Sequence, residues 1–198
     1  VQLEQTVSLA ENLAKNHPSA LILYDILGAA YMGLKNADKT IESYQKALQL
    51  NPNHTDAYNN MGMAFYDQGR FNEAVESYQN AVKLEPDFAD AHYNLGNPLK
   101  QAGSLEKEID SYKASLALNP NDAETYSNMG NALKDKGELD AAIDSYKQVL
   151  KIQPNYAEAY YILGISVKNK GNFNAAIDAY EQALNIKPDF PEASNNIG

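Results

Sequence analysis

The stretch AEAYYILGISVKNKGNFNAAIDAYEQALNIKPDF, residues 157–190, decides the fold. In 157–168, Tyr160, Leu163, Gly164 and Val167 stand at i, i+3, i+4 and i+7, one face of a helix. In 174–186, Ile177, Tyr180 and Leu184, with Ala176 and Ala183, mark a second amphipathic helix. Gly171 between them takes a left-handed conformation at little cost and so ends the first helix. Pro188 closes the second. A single helix pair cannot cover its own apolar face, so such units have to stack.

Working outward, the same pair recurs. Pro18, Pro52, Pro86, Pro120, Pro154 and Pro188 are 34 residues apart, and so are Gly28, Gly62, Gly96, Gly130, Gly164 and Gly198. A second glycine series runs Gly69, Gly103, Gly137 and Gly171, with Lys35 in that slot of the first copy. Four residues before each motif glycine stands Tyr24, Tyr58, His92, Tyr126 or Tyr160, and one residue before it Leu27, Met61, Leu95, Met129 or Leu163. Three residues after it stands Tyr31, Phe65, Leu99, Leu133 or Val167, and sixteen after it Tyr44, Tyr78, Tyr112, Tyr146 or Tyr180.

An aromatic, then Leu-Gly, then Tyr, and later Ala, an aromatic and Pro is the signature of tetratricopeptide repeats, which this sequence resembles along essentially its whole length. The resemblance implies an all-α, right-handed superhelical solenoid of antiparallel helix pairs with a 34-residue period. Five full copies are expected at 21–54, 55–88, 89–122, 123–156 and 157–190. Residues 1–20 then supply the second helix of a preceding copy, and 191–198 the start of a following one. Because the chain opens on Val1 and stops inside a motif at Gly198, it reads as an excised piece of a longer protein.

Composition narrows the function. The formal net charge is −10, which argues against binding a phosphate backbone, since that requires clustered Lys and Arg. The longest apolar run is too short to span a membrane, so no membrane insertion is expected. Cysteine is absent, which removes disulfides, thiolate metal sites and a cysteine nucleophile. His17 and His54 lie in turns and His92 fills an aromatic slot, none of them at the i, i+4 spacing of a helical metal pair. No phosphate-binding glycine loop or nucleophile elbow appears. No catalytic residue, metal or cofactor is therefore expected; the chain is not read as an enzyme, and a cytoplasmic setting is the default expectation.

Two acidic series recur in register. Asp56, Asp90, Glu124, Glu158 and Glu192 each follow Asn53, Asp87, Asn121, Asn155 or Asp189 by three residues, which predicts an N-cap plus a carboxylate at the third helical position. Glu42, Glu76, Asp110, Asp144 and Asp178 sit beside the second-helix tyrosines and predict a solvated face. The third copy departs from its sisters. Pro98 lies inside a first helix where Ala30, Ala64, Ala132 and Ser166 stand elsewhere, predicting a kink or an early end. Glu108 replaces the small residue supplied by Ala74, Ala142 and Ala176, so its carboxylate must escape sideways or be paired.

In tetratricopeptide solenoids the first helices line a concave groove that takes the ligand; this is what the resemblance implies. The groove slots lie two before, one after and five after each motif glycine. They hold Ile26, Ala29 and Gly33; Asn60, Met63 and Asp67; Asn94, Asn97 and Gln101; Asn128, Asn131 and Asp135; and Ile162, Ile165 and Asn169, with Asn196 resuming the series. Four residues after their glycines, Lys100, Lys134 and Lys168 form a modest basic row. The stretches NNMG, YNLGN and SNMGNALK are similar to the repeats of O-linked N-acetylglucosamine transferases, whose asparagines hold the backbone of extended peptides. An amide offers a donor and an acceptor together and so matches a peptide unit without reading its side chain. The carboxylate clamp used for chaperone tails is missing, because its slots hold Asn59, Asp90, Tyr93 and Glu124.

The expected partner is thus a protein or an extended peptide segment. Two alternatives stay open: self-assembly, through the half-repeats at the ends or through an exposed seam of Tyr161, Ile162 and Ile165, and service as the substrate-recognition arm of a transferase.

Overall fold

The computed structural model describes residues 1–197, so the motif glycine Gly198 lies outside the described residues. All regular structure among them is helical, and the chain divides into two compact units, Val1–Ser104 and Leu105–Gly198. The first unit holds α1 (Gln2–Asn16), α2 (Leu21–Gly33), α3 (Ala37–Leu50), α4 (Thr55–Asp67), α5 (Phe71–Leu84) and α6 (Ala89–Gln101). The second holds α7 (Leu105–Leu118), α8 (Ala123–Lys136), α9 (Leu139–Ile152), α10 (Ala157–Asn169), α11 (Phe173–Ile186) and α12 (Pro191–Ile197).

Within each unit every helix packs against its chain neighbours, and the turns of a few residues make those neighbours antiparallel. In the first unit α4 also touches α6, so successive first helices lie side by side. Its core runs from Ala10 of α1 through Tyr24, Leu27, Tyr44, Met61, Phe65 and Tyr78 to Leu95 and Leu99. The second unit is held by clusters around Ile109, Leu133 and Tyr146, around Ala123, Val149 and Ala159, and around Tyr180, Ala183 and Phe190.

The motif glycines exist to admit the second-helix tyrosines. A Cβ on Gly28 would stand 2.5 Å from the Tyr44 ring, and one on Gly62 or Gly130 would stand 2.8 Å from Tyr78 or Tyr146. Tyr180 lies against Gly164 in the same way. All five tyrosines, Tyr44, Tyr78, Tyr112, Tyr146 and Tyr180, are buried, while Glu42, Glu76, Asp110, Asp144 and Asp178 are exposed. The first-helix ends share one turn. Gly69, Gly103, Gly137 and Gly171 have φ of +72°, +68°, +85° and +81°, and Lys35 adopts φ 56° in their place. The residue before each repeat proline is drawn to extended ψ, as at Asn51, Glu85, Gln153 and Lys187, and there the second helix stops.

Two expectations are corrected and a third is narrowed. The N-caps fall one residue later than the recurring Asn and Asp: His54, Phe88, Asp122 and Tyr156 occupy them. The amides of His54 and Phe88 close turns onto the carbonyls of Asn51 and Glu85, which places Asn53 and Asp87 inside those turns. Asp122 alone of these four caps with its side chain, accepting from the amides of Glu124 and Thr125 at 3.0 and 3.3 Å. The recurring acids therefore stand at the second helical position, still where the helix dipole favours them. Next, α6 does not end early at Pro98. It runs to Gln101 like its sisters, because a proline so near the C-terminal end withdraws only the bond to the Asn94 carbonyl. Of the two outcomes expected for Glu108, escape to solvent is excluded: it is 2 % exposed and is not without a partner.

Candidate functional site

Positions two before, one after and five after the motif glycines share one side of each first helix, where the side chains are half-buried or exposed. In the first unit Asn60, Asn94 and Asn97 are half-buried, whereas Ile26, Ala29, Met63, Asp67, Lys100 and Gln101 are exposed. In the second, Asn128, Asn131, Lys134, Ile162, Ile165 and Asn196 are half-buried, and Asp135 and Lys168 are exposed. The expected apolar seam differs from its prediction. The Tyr161 ring packs on Tyr180 and Phe190 with centroids 5.9 and 5.0 Å apart, and Ile162 and Ile165 lie against core clusters.

Hydrogen bonds reveal what the asparagines already do. In the first unit Asn94 Nδ2 donates to Asn59 Oδ1 at 3.1 Å, and Asn60 Nδ2 donates to the Tyr44 hydroxyl at 3.2 Å. A longer contact of 3.4 Å from Asn59 Nδ2 to Asn60 Oδ1 joins the two. An amide chain thus runs from α6 through α4 to α3. Each Nδ2 has a second hydrogen, so Asn60 and Asn94 are oriented by one bond yet carry a further donor. In the second unit the Tyr146 hydroxyl donates to Asn131 Oδ1 at 2.9 Å, leaving both Asn131 amide hydrogens. Lys168 Nζ donates to Asn196 Oδ1 at 3.0 Å, so this member of the basic row is tied down.

The tyrosine hydroxyls are the floor on which these amides rest. Burial raises the Tyr44 pKa, partly offset by the Asn60 hydrogen bond. Burial, with the nearby charge of Asp67 or Asp135, raises Tyr78 and Tyr146 further. They act as neutral hydroxyls. A cavity of about 400 Å³ opens beside Asn128, lined also by Ala123, Glu124, Ser127, Gln153 and Tyr156. Among the described residues no cluster of three or more His, Asp or Glu side chains could hold a metal ion, and no helix is long and apolar enough to cross a membrane.

Sequence reasoning missed the ties between repeats. His54 Nε2 and Asp25 Oδ1 stand 2.8 Å apart, and Lys187 Nζ donates to Glu158 Oε1 at 2.9 Å. Gln68 donates to Asp38 at 2.6 Å, and Lys170 pairs with Asp140 in the matching slot. A signal was available only for the second kind, since Gln68–Asp38 and Lys170–Asp140 occupy matching slots three periods apart, whereas His54–Asp25 and Lys187–Glu158 do not.

The TPR repeat family matches residues 28–69, 62–103, 96–137, 130–171 and 168–198. This chain belongs to the TPR repeat family. Among solved structures it is similar to MamA, at 28% identity and a TM-score of 0.79, over 82% of this chain and 95% of that one. It shares its fold with YrrB, described as a TPR protein with an unusual peptide-binding site, at 23% identity and a TM-score of 0.84 over 94% and 96% of the two chains. PilF of Pseudomonas aeruginosa has the same fold at 21% identity and a TM-score of 0.78, over 98% and 88%. No curated protein is a significant match. TPR repeats being stacked helix pairs, the match accounts for the period, the Gly–Tyr contacts and the left-handed turns together.

Proposed function

We propose that this TPR protein captures extended segments of other proteins on its first-helix faces, through paired hydrogen bonds from asparagine side chains to the segment's backbone. The observation that carries the reading is the pre-oriented amide chain of Asn94, Asn59, Asn60 and Tyr44. Holding an amide in place beforehand lowers the ordering cost of binding. Because the Asn60 and Asn94 amides each carry a second N–H beyond the one already bonded, each can meet one peptide unit of a strand. In the second unit Asn131 offers its two hydrogens beside Asn128.

Such a surface tolerates many side chains. Its selectivity comes from what flanks the amides: Met63 and Tyr66 in the first unit, Tyr161, Ile165 and Lys134 in the second. The resemblance of these asparagine slots to those of the transferase repeats suggests backbone capture as the mode. The role is binding, and no catalytic step is assigned to this chain.

The test is a peptide array probed with the parent chain and with the Asn60→Ala, Asn94→Ala, Asn128→Ala triple variant, the latter first shown to be folded by circular dichroism. Each single substitution is expected to weaken binding by about 1 kcal/mol and the triple to abolish it. Equal binding by parent and triple variant overturns backbone capture.

A further inference from the structure

One first helix carries no amides. The sequence of α2, LILYDILGAAYMG, is apolar around nearly its whole circumference. Its core side presents Leu23, Tyr24, Leu27, Ala30 and Tyr31, all buried. On its outer side Ile22, Ile26, Ala29 and Gly33 follow one another at i, i+4, i+7 and i+11, a single stripe, and all four are exposed. Ile22 is 62% exposed and Ile26 37%. At the far end Leu3 of α1, itself 40% exposed, reaches over Gly33 and prolongs the apolar surface. The middle repeats place mostly polar residues in these slots, while the fifth copy keeps Ile162 and Ile165 but has Glu158 in the slot of Ile22. Ile22 corresponds to Asp56, Asp90, Glu124 and Glu158, and Ile26 to Asn60, Asn94 and Asn128. A helix apolar on both sides belongs between two partners, and only one side of α2 is covered.

The chemistry of the stripe limits what covers it. Ile22, Ile26, Ala29 and Gly33 offer no side-chain donor or acceptor, so an extended strand laid on them would desolvate backbone groups without replacing their hydrogen bonds. An occupant of this surface has to satisfy its own backbone, which a helix does. The stripe from Ile22 to Gly33 is about 16 Å long, some three turns of a facing helix. One repeat on, Met63 is 38% exposed in the slot of Ala29. Asp67, exposed and without an ion pair, shares a cavity of about 510 Å³ with Met32 of α2. Lys35 lines the same cavity without pairing to Asp67. Asp56 at the start of α4 is also exposed and unpaired, and the whole chain carries a net charge of −10.

We propose that the uncovered face of α2 receives an amphipathic helix of a partner protein, with apolar side chains set on Ile22, Ile26 and Ala29 and a lysine or arginine directed to Asp67. The proposal rests on the reading of the first helices as the binding face, and it assigns to the first repeat a ligand class different from that of the asparagine repeats.

The experiment is fluorescence anisotropy with labelled peptides of about sixteen residues, three turns of helix plus flanks. One carries leucines at i, i+4 and i+7 with lysine flanks; a second has the same composition with a central proline; a third has glutamate flanks. The parent chain is expected to bind the first and to lose about tenfold or more for the second. Ile26→Asp should weaken the first by about tenfold, with its melting temperature confirming the fold. Asp67→Lys should weaken the lysine peptide and strengthen the glutamate one. The proposal is overturned if the proline peptide binds as well as the helical one, or if Ile26→Asp changes nothing. It is also overturned if light scattering shows a dimer of the parent that Ile26→Asp dissociates, since a second copy is then the occupant. Asn60→Ala and Asn94→Ala should leave the helical peptide unaffected while weakening extended ones, so failure of this proposal and failure of backbone capture are read separately.

Discussion

The Asn60 amide donates to the Tyr44 hydroxyl across 3.2 Å, tying the second helix of one repeat to the first helix of the next. The matching pair one hundred and thirty-six residues on is Tyr180 and Asn196, and there the bond is not made. Asn196 is held by Lys168 and by the Glu192 carbonyl, and the Tyr180 hydroxyl is buried with no partner. Identical residues in identical slots thus differ in energy. Tyr180→Phe is expected to raise stability by about 1 kcal/mol, because it removes an unsatisfied buried group. Tyr44→Phe should lower it by about 1 kcal/mol, because a satisfied bond is lost. Urea denaturation of the two variants, compared through their midpoints, checks the opposite signs.

Gly130 meets the ring of Tyr146 so closely that a methyl group there would stand 2.8 Å from Cε1. Gly130→Ala should cost about 1–3 kcal/mol as the ring is displaced. Gly137→Ala meets nothing within 4 Å, and its penalty comes from φ +85° alone. Combining Gly130→Ala with Tyr146→Leu should recover part of the first loss and none of the second, which thermal melts of the double variants would show.

Lys35 occupies with φ 56° the turn position that its sisters give to glycine. A side chain there crowds the following backbone, so Lys35→Gly should stabilise the first unit by about 0.5–1 kcal/mol, even after the greater freedom of glycine in the unfolded chain is counted. Hydrogen exchange at the amides of Lys35 and Asn36, which close the turn onto Met32 and Tyr31, reads the effect locally.

Pro98 is fully buried inside a helix that continues to Gln101. Pro98→Ala restores a donor for the Asn94 carbonyl but removes ring contacts, two opposing effects. The sister alanines Ala30, Ala64 and Ala132 are buried without difficulty, so the backbone gain should prevail by about 1 kcal/mol. A rise of a few degrees in melting temperature is expected, and a fall would mean that the proline ring packs better than alanine.

The pair of Glu158 and Lys187 sets a pH dependence. The hydrogen bond from Lys187 lowers the Glu158 pKa, and the same bond raises that of Lys187. For a lowered carboxyl the added stability is present above its unfolded value and is lost as pH falls through the folded one. For a raised lysine it is present below the unfolded value and is lost as pH rises through the folded one. The contribution therefore has a plateau spanning neutral pH, and it is small because both side chains are about half exposed. Lys187→Gln should lower the melting temperature at neutral pH, and its difference from the parent should vanish below the carboxylate range.

Helix pairs, their period and the burial of Tyr44 and its repeats were legible in the sequence, because each depends on local propensity and on residues recurring within one 34-residue unit. A glycine sixteen residues before a tyrosine, or a glycine where φ is positive, means the same thing in every copy. Other features depend on where the turn releases the chain and on which neighbour a side chain reaches. The recurring Asn53 and Asp87 look like helix caps, yet a turn closed by His54 or Phe88 moves the helix start by one residue and leaves them outside it. Asn60, Asn94, Asn131 and Asn196 look like equivalent ligand groups, yet each is claimed by a different partner: Tyr44, Asn59, Tyr146 or Lys168. Tyr161, Ile162 and Ile165 read as an exposed seam, yet the core half covers them. Periodicity tells which face of a helix is apolar. Only the packed repeats determine what stands opposite it, because a contact between repeats depends on the direction of two side chains at once, and sequence spacing records neither.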